Sequence, residues 1–296
     1  MTIVSEGILV SIYLPTKDRR ELVQAAVESV LAQTHRPIEL IVVNDGSTDS
    51  TRAWLDELAA THDFVRVIHH EKPLGAPRSR NEAIRAARGE WITGLDDDDE
   101  FEPGRVEALL HFALTLEKAG IAFSAVYSQY NTVRGGSVLP TSKRGSVGLD
   151  DLFVNNCVGN QIFARKQVFL DAGLFDESLP AWQDLDLIMR VVHTGGPARI
   201  FDAPLYRFRD DERDDRISRK LKTRILDAYR HVVAKYPQAS PAARRALYWQ
   251  VFGNHYGFPV EWSDVRSYVA LGATPRELAR MLATGWRRRR QAASSR

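Results

Sequence analysis

The fold is set by residues 8–33, which read ILVSIYLPTKDRRELVQAAVESVLAQ. Residues 8–14 form an almost uninterrupted apolar run, as expected of a strand that is buried on both faces. Residues 21–33 then carry apolar side chains at helical spacing. The stretch therefore predicts a β-strand that leads into an α-helix, with the polar segment 15–19 between them.

The same pattern of strand and helix repeats along the first half of the chain. We predict strands at 38–43, 64–69 and 91–95, and helices at 48–60, 77–87 and 105–118. Such alternation is typical of right-handed crossovers and of a parallel sheet that is covered on both sides. The predicted fold class is therefore α/β.

The second half continues this layer with mixed strand directions. We predict strands at 121–130, 161–164 and 198–201, a helix at 182–193, and a loop at 134–148, which is rich in Gly, Ser and basic residues. From about residue 217 the pattern is helical. We therefore predict a main domain at 1–216 and an α-helical extension at 217–296.

Composition excludes several classes of protein. The 296 residues include 40 basic and 38 acidic side chains, so no overall field attracts nucleic acid. Cys157 is the only cysteine, which excludes an intrachain disulfide and a cysteine-built metal site. The sequence shows neither a secretory signal nor an apolar segment long enough to span a membrane. We therefore expect a cytoplasmic protein without a nucleic acid partner.

The clearest chemical signal is the acidic run after the fourth predicted strand. Six of the seven residues at 96–102 are carboxylates, and they follow an apolar strand directly. Ligands of parallel sheets bind at the carboxyl ends of the strands, where neighbouring carboxylates repel each other unless a cation neutralises them. Mg²⁺ or Mn²⁺ is the simplest such cation. The alternative is a solvated acidic turn before the next helix.

Other motifs that bind phosphate are absent from the sequence. No GxGxxG follows the first strand and no GxxxxGK[ST] occurs anywhere, which argues against a dinucleotide dehydrogenase and a P-loop NTPase. Glu100 occupies the place where a phosphatase of the DxDxT/V kind carries Thr or Val. A nucleotide-sugar site is the metal-and-phosphate site that remains.

Five motifs, in sequence order, resemble those of the family 2 glycosyltransferases: LPTKDR at 14–19, VVNDGSTD at 42–49, GAPRSRN at 75–81, TGLDDDD at 93–99 and WQDLD at 182–186. The resemblance covers about residues 8–210. It implies the GT-A fold, a Rossmann-like mixed sheet with helices on both faces. It also implies an inverting enzyme that uses Mn²⁺ or Mg²⁺ to move a hexose from a UDP-sugar to a hydroxyl of a glycan or lipid-linked acceptor. The expected setting is bacterial cell-surface polysaccharide synthesis.

The resemblance implies roles for individual residues on the donor side. Pro15, Thr16 and Asp18 would line the nucleoside pocket, and Asp45 would accept a hydrogen bond from the uracil imide. Arg80 would contact the base or the diphosphate, because a planar guanidinium fits phosphate. For Arg80, an ion pair on a helix surface is the alternative.

The resemblance also implies a metal site in the acidic run. Asp96 and Asp98 match the outer residues of the DxD motif. The resemblance implies that Asp98 coordinates the metal directly and that Asp96 belongs to the same metal site, where it contacts the ribose or a water on the metal. Four consecutive aspartates leave a register shift of one residue open. Arg207, which follows the last predicted strand, would add positive charge near the diphosphate.

Asp184 matches the general base of such enzymes, which takes the proton of the attacking hydroxyl. The alternative is that Asp184 caps the helix that starts there. Gln183 departs from the usual Glu-Asp pair of the family, so its role stays open. The candidates for acceptor binding are Asn160, Gln161, Trp182 and Gln183. Asn160 and Gln161 have an alternative role as loop amides that hold the backbone.

The end of the chain predicts a peripheral contact with an anionic membrane. Trp286 and the arginines at 287–290 close an amphipathic stretch, a composition that suits the cytoplasmic face of an inner membrane. A solvated tail is the alternative. Two other functions also stay open: a catalytically silent protein that binds a nucleotide sugar or glycan, and a nucleotidyltransferase on a related fold. The sequence does not indicate an oligomeric state.

Overall fold

The computed structural model describes residues 7–135, 137–140, 145–159, 161–210, 222–253 and 256–294. The chain forms two compact units. As far as its residues are described, the first unit comprises Met1–Leu149, Cys157–Glu177 and Gln183–Glu212, and the second comprises Asp150–Asn156, Ser178–Trp182 and Arg213–Arg296. The predicted boundary between residues 216 and 217 lies outside the described residues and stays a proposal.

The strands are β1 (Val10–Thr16), β2 (Ile38–Asn44), β3 (Val65–His69), β4 (Trp91–Gly94), β5 (Glu100–Phe101), β6 (Ala125–Arg134), β7 (Ser137–Pro140), β8 (Ser146–Val147), β9 (Phe163–Arg165) and β10 (Ala198–Arg209). The helices are α1 (Arg20–Leu31), α2 (Thr51–Thr61), α3 (Ala76–Ala86), α4 (Arg105–Lys118), α5 (Leu149–Val154), α6 (Lys166–Asp171), α7 (Gln183–Gly195), α8 (Lys222–Ala234), α9 (Pro241–Gln250), α10 (Trp262–Ala270) and α11 (Pro275–Ser294).

The first unit is built on one mixed sheet, with the strand order β3-β2-β1-β4-β9-β6-β10-β5. The four strands of the repeating half, β1 to β4, pair in parallel. β9 runs antiparallel to both β4 and β6, while β6 and β10 are parallel to each other. The prediction of an α/β fold with a mixed sheet is therefore confirmed.

In the repeating half, helices connect parallel strands and cover the sheet, so its central strands are buried on both faces. Every residue of β1 and β2 is buried, with no alternation between buried and exposed positions. The apolar faces of α1 and α4 pack into the same core, through Val27 and Leu109 among others. Since the carboxyl ends of parallel strands lie at one edge of a sheet, the loops after β1, β2 and β4 are brought together there.

The structure corrects the prediction that 134–148 is a loop. Ser137–Pro140 forms β7, which pairs antiparallel with the end of β6 across a turn at Gly135, and Ser146–Val147 forms β8 beside β10. All four residues of β7 are exposed, so this strand is held by backbone bonds to β6 and carries no apolar pattern that sequence could show. β10 also continues to Arg209, beyond the predicted end at residue 201.

The second unit is mainly helical. Tyr248 of α9 stacks on Tyr268 of α10, with ring centroids 5.8 Å apart, and Phe252 and Met281 are buried. Ser240 caps α9 by accepting the backbone N–H of Ala243 at 3.1 Å. Among the described residues, no helix has the length and apolar character needed to cross a membrane.

Candidate active site

Thr16, at the end of β1, joins the loops that follow β2 and β4. Its carbonyl oxygen accepts the backbone N–H of Asp45 at 2.8 Å, and its hydroxyl donates to Oδ2 of Asp97 at 2.9 Å. Thr16 and Asp45 are both buried. The polar segments that the sequence placed at one edge of the sheet therefore do meet there.

Three aspartates of the acidic run form a cluster. Asp96, Asp98 and Asp99 each place one carboxylate oxygen within 4.8 Å of the others. Asp97 is not part of this cluster: it accepts hydrogen bonds from Thr16 and from Nη1 of Arg19, the latter at 2.7 Å. Burial raises the pKa of Asp97 to about 6, against the lowering effect of Arg19. The cluster therefore includes both Asp96 and Asp98 but not Asp97, and the assignment of the metal ligands stays a prediction.

Asp99 fastens the acidic loop to β10. Its two oxygens accept the hydroxyl of Tyr206 at 2.7 Å and the backbone N–H of Arg209 at 2.9 Å. Burial, followed by the charges of Asp98 and Asp96, raises the pKa of Asp99 well above its ordinary value. Both oxygens of Asp99 therefore already have protein donors.

Asp96 and Asp98 are the members of the cluster that solvent can reach. Their side chains are 20% and 18% exposed, whereas Asp99 is 1% exposed. Carboxylate oxygens are the ligands that Mg²⁺ and Mn²⁺ take up in proteins. The donor set therefore fits a hard divalent cation, with Asp96 and Asp98 as its accessible ligands.

Arg80, on α3, is buried between two carboxylates. Its Nη2 donates to Oδ1 of Asp96 at 2.9 Å, and its Nη1 lies 3.6 Å from Oδ1 of Asp184. The guanidinium also stacks over the ring of Phe175, 5.2 Å from its centroid. The alternative predicted from the sequence was an ion pair on a helix surface. Arg80 does pair with carboxylates, but its guanidinium is buried rather than on a helix surface.

Gln161 completes the surroundings of Asp96. Its Nε2 donates to Oδ1 of Asp96 at 2.9 Å, and its Oε1 accepts the hydroxyl of Tyr13 at 3.2 Å. A Cβ on Gly94 would lie 2.0 Å from Oε1 of Gln161 and 2.2 Å from the Tyr13 ring. The hydrogen-bonded chain from Tyr13 to Asp96 therefore requires glycine at position 94.

Asp184 lies in the first turn of α7. Its Oδ1 is buried and has no hydrogen-bond partner among the described residues, while 28% of the whole side chain is exposed. Burial raises the pKa of Asp184 to about 6; Arg80 opposes this rise and Asp96 adds to it. Asp184 is thus a carboxylate of raised basicity that solvent can still reach.

The other acidic residue of this helix has a structural role. Asp186 is fully buried and accepts Nη2 of Arg190 at 2.7 Å and its Nε at 3.0 Å. Arg190 in turn donates to the carbonyl of Ala172. Asp186 therefore forms a buried ion pair within α7.

The model of the family described as "Glycosyl transferase family 2" matches residues 11–169. The chain belongs to glycosyl transferase family 2. It is 34% identical over 197 residues to "Putative colanic acid biosynthesis glycosyl transferase WcaA" of Escherichia coli K12, with 66% of this chain and 70% of that protein covered. The prediction of a glycosyltransferase enzyme is confirmed.

Solved glycosyltransferase structures share the fold. S. aureus TarS 1-349 in complex with UDP-GlcNAc superimposes with a TM-score of 0.68 at 16% identity, covering 93% of this chain and 84% of that one. The mannosyltransferase PcManGT of Pyrobaculum calidifontis, in complex with GDP-Man and Mn²⁺, gives a TM-score of 0.52 at 18% identity, covering 93% and 79%. At these identities the likeness establishes the fold alone, and the predicted GT-A fold is confirmed.

Three other residues were predicted for the donor side of this glycosyltransferase, and two of them, Asp18 and Arg207, already have protein partners. Asp18, at φ 51°, accepts the backbone N–H of Thr48 at 2.6 Å, so it joins the loop after β1 to the loop after β2. Arg207 is half exposed and donates its Nε to Glu102 at 2.6 Å. Pro15 is buried within β1. Their roles toward a nucleotide stay proposals.

Three of the four residues predicted to bind the acceptor, Gln161, Trp182 and Gln183, lie in the described part of the chain. Gln161 lies beside Asp96, on the side predicted for the donor, and Gln183 is the first residue of α7. Trp182 belongs to the second unit, where its Nε1 donates to the Tyr256 hydroxyl at 2.7 Å. Asn160 lies outside the described residues. Acceptor binding by this glycosyltransferase therefore remains a prediction.

Sequence reasoning missed His70, which contacts Asp45. His70 directly follows β3, at the same edge of the sheet as the predicted site. The rule that points to residues at the carboxyl ends of parallel strands therefore applies to it as well. Tyr206 was also missed, since its hydroxyl reaches Asp99 from a strand far along the chain.

Proposed function

We propose that this glycosyltransferase moves a hexose, with inversion, from a UDP-sugar to a hydroxyl of a glycan or lipid-linked acceptor in cell-surface polysaccharide synthesis. The observation that carries the proposal is that Asp96 and Asp184 face the same buried guanidinium, that of Arg80. The name of the WcaA relative supports a role in polysaccharide biosynthesis, and the UDP-GlcNAc complex of TarS supports a UDP-sugar donor.

Asp184 is the proposed general base. In an inverting transfer, the acceptor oxygen forms a bond to the anomeric carbon while the bond from that carbon to the diphosphate breaks. The departing UDP takes the electron pair, and Asp184 takes the proton of the attacking hydroxyl. A carboxylate whose pKa lies nearer to the working pH accepts that proton more readily, which fits the raised pKa of Asp184.

Asp96 and Asp98 would hold Mn²⁺ or Mg²⁺. When bound there, the cation would supply Lewis-acid stabilisation of the charge on the departing diphosphate. The complex of PcManGT with GDP-Man and Mn²⁺ supports a metal on this fold. Arg80 donates to Asp96, and by holding that carboxylate it would fix the orientation of one metal ligand.

The proposed nucleoside pocket uses Pro15, Thr16, Asp18 and Asp45, which lie in or directly after β1 and β2. Arg80 and Arg207 would contribute positive charge toward the diphosphate. The Asp45 carboxylate accepts three hydrogen bonds and has a position for a fourth, which suits the imide N–H of uracil.

We also propose that the enzyme contacts an anionic membrane from its cytoplasmic face through α11. Leu282 and Trp286, four residues apart on one face of this helix, are 46% and 57% exposed, and Arg287 beside them is exposed. Arg288, in contrast, donates to the carbonyls of Phe252, Gly253 and Phe258. Among the described side chains, the proposed surface therefore comprises Leu282, Trp286 and Arg287, without Arg288; the side chains of residues 289 and 290 lie outside the described part of the chain.

The test of the main proposal is Asp184→Asn, assayed for UDP release from a panel of UDP-sugars and for UDP affinity with Mn²⁺. Turnover should fall by about 10²–10⁴-fold, the usual contribution of a general base, while UDP affinity stays within about twofold. Asp150→Asn is the matched control, because Asp150 is also the second residue of a helix. Wild-type turnover in Asp184→Asn would contradict the mechanism.

The same assay separates the alternatives. A protein that binds nucleotide sugars without turning them over would show UDP affinity and no UDP release in the wild type. A nucleotidyltransferase would release inorganic diphosphate from a nucleoside triphosphate, and Asp184→Asn would leave that reaction intact.

A further inference from the structure

His70 lies between two carboxylates that come from different elements. Its Nδ1 is 2.7 Å from Oδ1 of Asp45, which follows β2, and its Nε2 is 2.7 Å from Oε2 of Glu82, on α3. Among the described residues, these are the charged groups that face the ring. The imidazole therefore connects the end of β2, the end of β3 and α3.

The two contacts determine the protonation state of the ring. A carboxylate oxygen accepts hydrogen bonds, so each nitrogen facing one at 2.7 Å carries a hydrogen. Both nitrogens of His70 meet that condition, which makes the ring an imidazolium. Burial lowers the pKa of His70, but the hydrogen bonds with Asp45 and Glu82 outweigh that effect and raise the pKa above its ordinary value.

Asp45 is held by three donors. Oδ1 accepts Nδ1–H of His70 and the backbone N–H of Leu74, both at 2.7 Å, and Oδ2 accepts the backbone N–H of Gly75 at 2.8 Å. An ionised carboxylate offers about four acceptor positions. Oδ1 is thus fully used, and one acceptor position remains on Oδ2.

The loop that supplies the two backbone donors is packed closely against Asp45. Gly46, at φ 68°, has no room for a side chain, since a Cβ there would lie 2.7 Å from the backbone nitrogen of Pro73. Asp45 itself is 6% exposed. The carboxylate is therefore fixed in one orientation, and within the described part of the chain the side chain that donates to it is His70.

We infer that His70 is a positioning residue for nucleobase selection: its Nδ1–H holds the Asp45 carboxylate so that Oδ2 presents one acceptor to an imide N–H. This inference rests on the proposed function, in which Asp45 faces the uracil of UDP. Uracil has an imide N–H at N3, whereas the N3 of cytosine is an acceptor. A fixed Asp45 should therefore favour UDP over CDP.

Glu82 is the outer partner of the ring. Its side chain is 42% exposed, so it reaches solvent while His70 is buried. By accepting Nε2–H, Glu82 stabilises the imidazolium and keeps a hydrogen on Nδ1, the nitrogen that faces Asp45. In general, the hydrogen bond that one ring nitrogen of a histidine makes influences the protonation of the other nitrogen.

The experiment compares His70→Asn with His70→Gln, because the two amides replace different nitrogens of the ring. The Asn amide lies near the position of Nδ1 and can still donate to Asp45; the Gln amide lies near Nε2 and reaches Glu82. Affinities for UDP and CDP are measured by calorimetry with Mn²⁺, and KM and kcat are measured with the donor sugar.

We expect His70→Gln to weaken UDP binding at least tenfold and to reduce the ratio of UDP to CDP affinity, with kcat at saturating donor within about twofold. His70→Asn should keep both affinities close to wild type. His69→Gln is the matched control, since His69 contacts Asn44 and Asp56 and not Asp45. Should His70→Gln fail to fold, His70→Ala with and without added imidazole makes the same comparison, and imidazole should restore the ratio.

The outcomes separate the two proposals. If the wild type binds UDP and His70→Gln leaves the affinity and the ratio unchanged, the inference is wrong while the proposed function stands. An equal loss of UDP and CDP affinity in His70→Gln would also contradict it, because that result indicates a general loss of structure. If the wild type binds no UDP at all, the proposed donor class fails, and the inference fails with it.

Discussion

Nη1 of Arg80 lies 3.6 Å from Oδ1 of Asp184. The other terminal nitrogen of the same guanidinium donates to Asp96 at 2.9 Å. One buried cation therefore stands between the proposed general base and a proposed metal ligand. Because both carboxylates interact with this cation, a change at one of them alters the electrostatics at the other.

The pH dependence of kcat/KM, which reports the pKa values of the free enzyme, should show an acid limb with a midpoint near pH 6. Burial raises the pKa of Asp184 to about 6, and a general base works only when it is ionised. Turnover is therefore lost as the pH falls through 6 and is level above it. The measurement is kcat/KM for the donor between pH 5 and pH 8. A profile that is flat over this range would remove Asp184 from the rate-determining proton transfer.

Arg80→Lys and Arg80→Met should move that acid limb in a graded way. Arg80 lowers the pKa of Asp184, so its removal raises that pKa further and moves the limb to higher pH. Lys keeps the charge and should shift it less than Met. Breaking a buried ion pair costs about 3–5 kcal/mol, so Arg80→Met should also melt at lower temperature. An unchanged limb in both variants would show that Arg80 does not act on the base.

Asp98→Ala should abolish the effect of Mn²⁺ on UDP affinity, since Asp98 is an accessible member of the acidic cluster. Calorimetry of UDP binding with Mn²⁺ and with a chelator is the measurement. Asp97→Asn is the control, because Asp97 lies next in sequence but is not part of the cluster. If the chelator affected UDP binding equally in the two variants, the assignment of Asp98 rather than Asp97 as the metal ligand would be wrong.

Gly94→Ala should be strongly destabilised. The added methyl would overlap Oε1 of Gln161 and the ring of Tyr13, both of which are buried. Overpacking of this kind costs about 1–3 kcal/mol, and the short distances place this case at or above the upper end. Gly104→Ala is the control, since its Cβ would meet no atom within 4 Å. Thermal melting of both variants decides the point, and equal melting temperatures would contradict the close packing.

Membrane contact through α11 predicts that Leu282→Ser combined with Trp286→Ser weakens binding to anionic vesicles. Each basic residue near the membrane surface contributes about 1 kcal/mol of binding free energy through its charge. The apolar side chains that insert into the membrane supply the rest of the binding free energy. Sedimentation with anionic and with zwitterionic vesicles measures both contributions. Ile121→Ser serves as control, because Ile121 is 43% exposed in the first unit. Binding by the wild type that is equal for both kinds of vesicle would contradict an anionic surface.

Local patterns were sufficient to predict the main elements. The apolar run at 8–14 corresponds to β1, and the repeat of strand and helix corresponds to the parallel half of the sheet. These patterns succeed because a strand that is buried on both faces must be apolar throughout. β7 was missed for the same reason: all its residues are exposed, so burial imposes no pattern on them.

The sequence also placed the candidate site at the correct edge of the sheet. Polar residues at the carboxyl ends of β1, β2 and β4 meet there because parallel strands share their direction, so Asp45, Asp96 and Thr16 needed no coordinates to be grouped. Spacing within the acidic run, however, left open which aspartates point the same way.

The sequence by itself thus determined the α/β architecture, the family and the edge of the sheet at which the polar loops collect. Only the tertiary structure decided that Asp96, Asp98 and Asp99 converge without Asp97, that Arg80 stands between Asp96 and Asp184, and that His70 holds Asp45. The physical reason is that these contacts join side chains from separate elements, and their directions depend on how the elements pack. Spacing along the chain specifies which residues share a strand or a helix face, but it carries no information on which side chain of another element they meet.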